Sequence, residues 1–176
     1  MLQALEVDPR PRAAAIEIRP SYLLFDIGSE TFAVSVSKVN EIIELAELTR
    51  VPALPPCVRG MMNLRGTVLP VVDLAQKFGV PPNGTSKRPC VVVIEVEHDG
   101  AATLLGLQTD MVHDVIGIAP SEIEPPPLFG SVVNLAYLEG MFRRGERFVL
   151  LMNTDYVLSV EELLGTREES YRFVQR

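Results

Sequence analysis

The sequence predicts a mostly β fold made of about ten short strands with only short helices between them. Segments in which apolar and polar residues alternate recur at close, regular spacing, and turns that contain glycine or proline separate them. Two halves of similar layout favour two small barrels, although no convincing sequence repeat relates the halves. The chain has 176 residues and is 47% hydrophobic, so it is long and apolar enough to bury a core.

The N-terminal part begins with a lead-in segment and a hairpin. Residues 1–20 carry three prolines and charges of both signs, which is typical of a flexible terminal segment. Beyond them, residues 22–27 and 30–36 predict two strands joined by a turn at Gly28. The second strand alternates with period two, so we expect one of its faces to be buried.

The segment after this hairpin fits the spacing of a helix. Ser37 is a suitable N-cap, and Val39, Ile42, Ile43 and Ala46 follow at helical intervals. Such a helix turns Val39, Ile42 and Ile43 toward the core, and we expect at least two of the three to be buried.

The stretch 60–74 is the most informative part of the chain. It predicts two apolar strands joined by a tight turn that contains Arg65. Asp73 then caps a short helix, since Gln76 follows three residues later and Gly79 provides the stop signal.

The remaining chain predicts further hairpins. The dipeptide Asp-Gly at 99–100, between two apolar runs, is the strongest short hairpin signal available. The polar loop 80–88 is a candidate boundary between the halves. The other predicted elements are strands at 48–51, 90–97, 101–108 and 112–118, a hairpin of 137–142 with 147–153, and a C-terminal helix opened by a capping box of Ser159 and Glu162.

Charge and composition exclude several classes of protein. The net charge of −7 and the pI near 4.9 argue against binding to nucleic acid. No run reaches the roughly 18 apolar residues of a membrane-spanning helix. The N-terminus lacks the apolar segment of a signal peptide, so we expect a cytoplasmic protein in which Cys57 and Cys90 are reduced.

The sequence offers little chemistry for catalysis. His98 and His113 are the two histidines, and neither has metal-ligand spacing to a cysteine. Ser35 and Lys38 match the pattern S-x-x-K of serine acylases, but the partner motifs of that family are absent. Nucleotide-binding and zinc-protease motifs are absent as well. We therefore predict no catalytic residues, no metal, no cofactor and no enzyme activity.

Binding to a partner is the function that remains, and Arg65 is the candidate binding residue. An always-charged guanidinium at a rigid hairpin tip is suited to recognition, since its planar fork presents several donors. Two readings stay open at this point. Arg65 is either a turn residue held by a nearby carboxylate or a recognition residue that Glu41, on the predicted helix, pre-orients for a partner.

The stretch from Val58 to Gly66, continuing through Pro70 and Asp73, resembles the Asn-Leu-Arg-Gly signature of the CheW family of bacterial chemotaxis adaptors. The likeness extends from Tyr22 to Leu164. It implies two SH3-like five-stranded β-barrels packed side by side over residues 21–165, after the flexible segment 1–20 and before a C-terminal tail at 166–176.

The resemblance also implies a function and its surfaces. The expected function is a non-enzymatic adaptor that couples chemoreceptors, the methyl-accepting chemotaxis proteins, to a CheA-type histidine kinase in a chemosensory array. The expected partners are the cytoplasmic tip of the receptors, the regulatory domain of the kinase and other CheW-like domains, so the adaptor would reach the membrane-associated array through its partners. Carried over by position, the receptor-binding residues are Arg65, Leu64, Gly60, Glu41, Gly106 and Gly140, and the kinase-binding residues are Leu23, Val36, Val39 and Phe129.

Three alternatives accompany these expectations. The same adaptor can serve a non-flagellar chemosensory system that drives pili or surface sensing. More remotely, the chain can be a small ligand-binding double barrel. The glycines among the expected receptor-binding residues also have a purely structural reading, as strand bends needed for barrel closure.

Overall fold

The computed structural model describes residues 16–81, 88–128 and 133–159. Within these ranges it contains ten strands, two short α-helices and three 3₁₀ turns at 36–38, 120–122 and 135–137. The named elements are β1 (Ser21–Ile27), β2 (Glu30–Ser35), β3 (Val39–Glu44), β4 (Val58–Leu64), β5 (Thr67–Asp73), α1 (Leu74–Phe78), β6 (Cys90–His98), β7 (Ala101–Thr109), β8 (Met111–Gly117), β9 (Leu138–Arg144), β10 (Arg147–Met152) and α2 (Thr154–Val157).

The strands form two five-stranded sheets that use the chain differently. The first has the order β3-β6-β7-β5-β4 and consists of consecutive strands, and we call it the continuous sheet. The second has the order β8-β1-β2-β10-β9 and combines strands from both ends of the described chain, and we call it the discontinuous sheet. The chain between α1 and β6, where the sequence offers a boundary, therefore connects two strands of the same sheet.

The two sheets repeat one architecture. Each contains a single parallel pair, β5 with β7 in one and β10 with β2 in the other. In each, the chain that leaves one edge strand pairs with the opposite edge strand, through the bridge Thr49–Met61 or the bridge Glu124–Met141. These bridges bring the two edges of each sheet together, as in an SH3-like barrel. The predicted fold of two five-stranded β units is confirmed.

The core lies in three clusters. One fills the inside of the continuous sheet around Met62 and Val93, and another fills the inside of the discontinuous sheet around Leu24 and Phe142. The largest cluster contains residues of both sheets, such as Phe32 and Val92, so it joins the two units into one body. Burial of this apolar surface stabilises the pairing of the sheets.

The predicted hairpins are confirmed. The β6–β7 turn has positive φ at Asp99 and Gly100, as a type I′ turn requires. The side chain of Asp73 accepts a hydrogen bond from the backbone N–H of Gln76, and Gly79 ends α1 in the left-handed conformation. The capping and stop signals around α1 therefore act as predicted.

The predicted helix at 37–46 is wrong. Residues 36–38 form a 3₁₀ turn, and residues 39–44 form β3, which pairs with β6. Of the three residues expected to be buried, Ile42 is exposed, and Val39 and Ile43 are only partly buried. A strand forms here because β3 pairs with β6, and because Val39 and Ile43 on β3 pack against the core.

Two further predictions lie largely outside the described residues. The C-terminal helix predicted from Ser159 and the tail at 166–176 fall there, as does most of the lead-in at 1–20. In the part of the chain that the structure describes, no helix has the length and apolar character needed to cross a membrane.

Candidate functional site

The β4–β5 turn presents Arg65 at the end of the continuous sheet. Arg65 and Gly66 both have positive φ, 51° and 87°, which is the type I′ pattern that matches the twist of a hairpin. The backbone N–H of Gly66 donates to the Asn63 side chain, with N and Oδ1 2.8 Å apart. Because Arg65 is not a glycine, its left-handed backbone costs free energy that the rest of the hairpin must offset.

Glu41 on β3 holds the guanidinium of Arg65 through both carboxylate oxygens. Nη2 of Arg65 lies 2.7 Å from Oε2 of Glu41, and Nη1 lies 3.2 Å from Oε1. The Arg65 side chain is 76% exposed, whereas the Glu41 side chain is 22% exposed. A bidentate pair fixes the orientation of the guanidinium while its remaining donors stay accessible to a partner. The prediction that Glu41 contacts Arg65 is confirmed, but Glu41 lies on a strand and not on a helix.

This pair also joins the two edges of the continuous sheet. Glu41 belongs to edge strand β3, and Arg65 follows the last residue of edge strand β4. Leu64, the residue before Arg65, packs against the inner cluster of the sheet. The structure therefore brings Arg65, Leu64 and Glu41 together at one end of the barrel.

The three predicted glycines occupy crowded, buried positions. A Cβ on Gly60 would approach the carbonyl oxygen of Thr49 to 2.7 Å, and one on Gly140 would approach the carbonyl oxygen of Glu124 to 2.7 Å. A Cβ on Gly106 would lie 2.8 Å from Cγ1 of Val91. Gly60 and Gly106 belong to the continuous sheet, and Gly140 belongs to the discontinuous sheet. Each glycine permits a close approach that barrel closure or core packing requires.

The four residues expected to face the kinase are placed differently from one another. Leu23 is 3% exposed and belongs to the cluster between the sheets, so its side chain does not contribute to a surface. This placement corrects the expectation for Leu23. Val36 and Val39 are partly buried and pack against the same cluster from its margin. Phe129 lies outside the described residues.

The histidines have neighbours that explain them without catalysis. Nε2 of His113 lies 2.7 Å from Oδ2 of Asp26, and the other oxygen of Asp26 accepts a hydrogen bond from Thr31. His98 lies in the β6–β7 hairpin beside Asp99. In residues 16–81, 88–128 and 133–159, no three histidine, cysteine or acidic side chains come together as a metal site would need.

Sequence reasoning missed a second ion pair that corresponds to the first. Nη2 of Arg144, the last residue of β9, lies 2.7 Å from Oδ2 of Asp114 on β8. β8 and β9 are the edge strands of the discontinuous sheet, so this pair joins its edges as Arg65 and Glu41 join those of the continuous sheet. The only available signal was the register between two segments far apart in the chain, which hairpin patterns do not report.

The carboxyl group of Glu139 lies on the discontinuous sheet next to Gly140. Burial raises the pKa of Glu139, and the nearby Asp155 carboxylate raises it further, whereas Lys38 lowers it. Nζ of Lys38 lies 2.8 Å from Oδ1 of Asp155, so this cluster links the turn before β3 to α2.

A fold of two five-stranded β units that exposes an oriented arginine at a hairpin turn is suited to binding a partner. Comparison with known proteins agrees. The model of the CheW-like domain matches residues 21–162, and the chain therefore belongs to the CheW-like domain family, in which the relatives described below are named as chemotaxis and scaffolding proteins.

Individual relatives cover most of the chain. The chemotaxis protein CheW of Klebsiella aerogenes is 29% identical over 152 residues, which are 86% of this chain and 89% of that protein. The chemotaxis protein CheW of Helicobacter pylori is 30% identical over 138 residues, with 78% and 80% covered. The crystal structure of the scaffolding protein TtCheW from Thermoanaerobacter tengcongensis superposes with a TM-score of 0.73 at 26% identity, covering 87% of this chain and 96% of that one.

Proposed function

We propose that this chain couples chemoreceptors to a CheA-type histidine kinase by binding both in one assembly. The observation that carries the proposal is the Arg65 guanidinium, exposed at a rigid turn and oriented by Glu41. The Glu41 contact leaves donors for a carboxylate or carbonyl on a partner, so Arg65 can fix the register of a bound helix. Membership of the family supports the partner classes.

In this proposal the receptor helix lies against the continuous sheet near the β4–β5 turn. Leu64 and Glu41 support Arg65, and the buried glycines shape the barrel wall without touching the partner. Apolar contacts would supply most of the affinity, and the charge of Arg65 would select the orientation. The protein would then lie on the cytoplasmic side of the membrane, at the receptor array.

The kinase-binding surface is proposed at Val36 and Val39. Both lie at the margin of the cluster between the sheets, on the chain segment that passes from β2 to β3. Their partial burial leaves an apolar edge that a similar β-barrel can cover. Phe129 stays a proposed contact with a neighbouring member of the array.

The test is titration calorimetry of the purified protein against the kinase regulatory domain and against a receptor tip fragment from the same genome. We expect Arg65→Glu to weaken receptor binding by at least about tenfold and to leave kinase binding unchanged. Val36→Glu should weaken kinase binding and leave receptor binding unchanged. Arg50→Glu, which reverses an exposed arginine outside both surfaces, is the matched control.

Each outcome decides the proposal. Circular dichroism must show that the Arg65→Glu variant keeps its fold, since loss of folding would make Arg65 a structural residue. Equal receptor binding by Arg65→Glu and Arg50→Glu would remove the recognition role. Absence of binding to every CheA-type kinase of the genome would mean that the double barrel serves another assembly.

A further inference from the structure

The β9–β10 hairpin tip of the discontinuous sheet carries a basic and aromatic surface. Arg143, Arg144, Arg147 and Phe148 are all exposed, and together we call them the basic tip. Only Gly145 and Glu146 separate its two strands. This concentration of positive charge contrasts with the chain as a whole, whose net charge is −7.

The register of the hairpin makes the basic tip costly on its own. Arg147 lies directly opposite Arg144 on the neighbouring strand, and like charges in that position destabilise a sheet. Arg144 is neutralised by Asp114, with Nη2 and Oδ2 2.7 Å apart. Among the residues that the structure describes, neither Arg143 nor Arg147 forms an ion pair. Two guanidiniums at this tip therefore remain for an external anion.

The equivalent hairpin of the continuous sheet shows that the fold does not need these arginines. Counting from Gly60 and Gly140, which occupy the same register, Asn63 matches Arg143 and Thr67 matches Arg147. That hairpin forms with polar, uncharged residues at both positions. Arg143 and Arg147 thus have no role in closing the turn.

Phe148 adds an apolar contact to the charge. It is 44% exposed and lies opposite Arg143, whose guanidinium carbon is 5.5 Å from the centre of the ring. A stacked arginine is held in place over the ring, and arginine and aromatic residues are the types that dominate binding energy at protein interfaces. The basic tip is therefore preorganised for a ligand that combines negative charge with an apolar group.

We propose that the basic tip binds a short acidic segment of a partner protein, with carboxylates on Arg143 and Arg147 and an apolar side chain against Phe148. A peptide fits better than a nucleic acid, because a phosphate backbone extending beyond the tip would meet the negative charge of the rest of the protein. This surface differs from the receptor and kinase surfaces proposed above, and the inference stands without them.

The test is fluorescence anisotropy of the full chain with two labelled peptides, octaglutamate with a central phenylalanine and the same peptide with glutamine in place of glutamate. We expect the protein to bind the acidic peptide and not the glutamine peptide, and we expect the affinity for the acidic peptide to fall as the salt concentration rises. The double variant Arg143→Asn with Arg147→Thr carries the residues of the equivalent hairpin and so keeps the fold. It should lose at least about tenfold in affinity, while Arg50→Glu binds as the unmodified protein does.

Three outcomes would overturn the inference. The first is equal binding of the acidic peptide by the double variant and the unmodified protein, which would place the contact elsewhere. The second is equal binding of the glutamine peptide, which would remove the role of charge. The third is tighter binding of a labelled 12-base single-stranded DNA than of the acidic peptide, which would assign the tip to nucleic acid. A Phe148→Ala variant with unchanged affinity would remove the apolar part of the proposal.

Discussion

In the continuous sheet the β4–β5 turn carries Arg65, whereas the same position of the β9–β10 turn in the discontinuous sheet is Gly145. The closures behind these turns are nevertheless alike. Gly60 and Gly140 occupy the same register, and each lies against a carbonyl oxygen of the segment that bridges the sheet edges. Closure therefore depends on a backbone contact that only glycine allows, and the tips beyond it are free to acquire different chemistry.

The largest effect is expected when the closing glycines are substituted. Gly60→Ala should cost about 2–4 kcal/mol of unfolding free energy, since its Cβ would meet a carbonyl oxygen and its φ of 155° is unfavourable for alanine. Gly140→Ala should cost about 1–3 kcal/mol, because the same clash occurs without positive φ. Urea denaturation followed by circular dichroism measures both.

Gly117→Ala is the control for this pair of variants, because its Cβ would have only ordinary contacts, 3.4 Å or longer. If both closing variants unfold at the urea concentration of Gly117→Ala, the shared closure has no energetic importance.

A smaller difference in unfolding free energy is expected between substitutions at Gly106 and at Ala33. These two residues hold equivalent places in the parallel strand pairs of the two sheets. Gly106 is paired with Val71 in β5, and Ala33 is paired with Leu151 in β10. Gly106→Ala should cost about 1–3 kcal/mol, because its Cβ would crowd Val91. Ala33→Gly should cost about 1 kcal/mol through backbone entropy and lost packing. If Gly106→Ala and the unmodified protein are equally stable in urea, the side chains around Gly106 can shift to accommodate the added methyl group.

The coupling free energies of the two ion pairs that join sheet edges should differ by less than about 1 kcal/mol. Double-mutant cycles with alanine should give about 0.5–1 kcal/mol for Arg65 with Glu41, which is bidentate and has one partly buried partner. Arg144 with Asp114 makes a single contact between two exposed groups, and we expect about 0–0.5 kcal/mol. A larger coupling in the second pair would contradict the argument from burial.

The smallest expected effect on stability concerns the residues that precede Gly60 and Gly140. These are Arg59 in the continuous sheet and Glu139 in the discontinuous sheet. Arg59 lies 3.8 Å from the Asp73 carboxylate, whereas the pKa of Glu139 is raised by burial and by Asp155. A raised pKa means that the folded state holds the proton more tightly than the unfolded state, so stability falls as pH rises above the ordinary value of 4.5.

Glu139→Gln should therefore be more stable than the unmodified protein at neutral pH, with the difference shrinking as pH falls toward 4.5 and absent well below 4.5. Thermal unfolding across a pH series measures the difference, and Glu95→Gln, an exposed carboxamide variant on β6, is the control. A stability difference that is constant with pH would show that the ionisation of Glu139 is unrelated to it.

Local signals predicted the hairpins well, because turn chemistry acts within a few residues. The Asp-Gly turn at 99–100 and the cap at Asp73 are of this kind. The helix predicted at 37–46 failed because polarity does not follow burial along β3. Glu41 occupies a partly buried position and contacts Arg65, while Ile42 is exposed, and a bulge between Val39 and Glu41 shifts the register. These exceptions removed the period-two pattern of a strand.

The repeat and the site depend on contacts between distant segments, which hairpin patterns do not encode. The sequences of the two sheets share few residues, and their common closure resides in carbonyl contacts at Gly60 and Gly140. The pairing of Arg144 with Asp114 follows from closure and not from spacing. Arg65 could be singled out because its turn is local, and its orientation by Glu41 could be proposed, but the strand that carries Glu41 required the structure.

The parallel pairing of β2 with β10 also affects how the protein emerges from the ribosome. β1 and β2 are made early, but Phe32 and Ala33 find their partners in β10 only when the last described strands have been synthesised. The strands of the continuous sheet, by contrast, are complete before β8 is translated. The β2 edge therefore keeps unpaired backbone donors and acceptors until β10 is made, so the discontinuous sheet can be completed only after the continuous sheet.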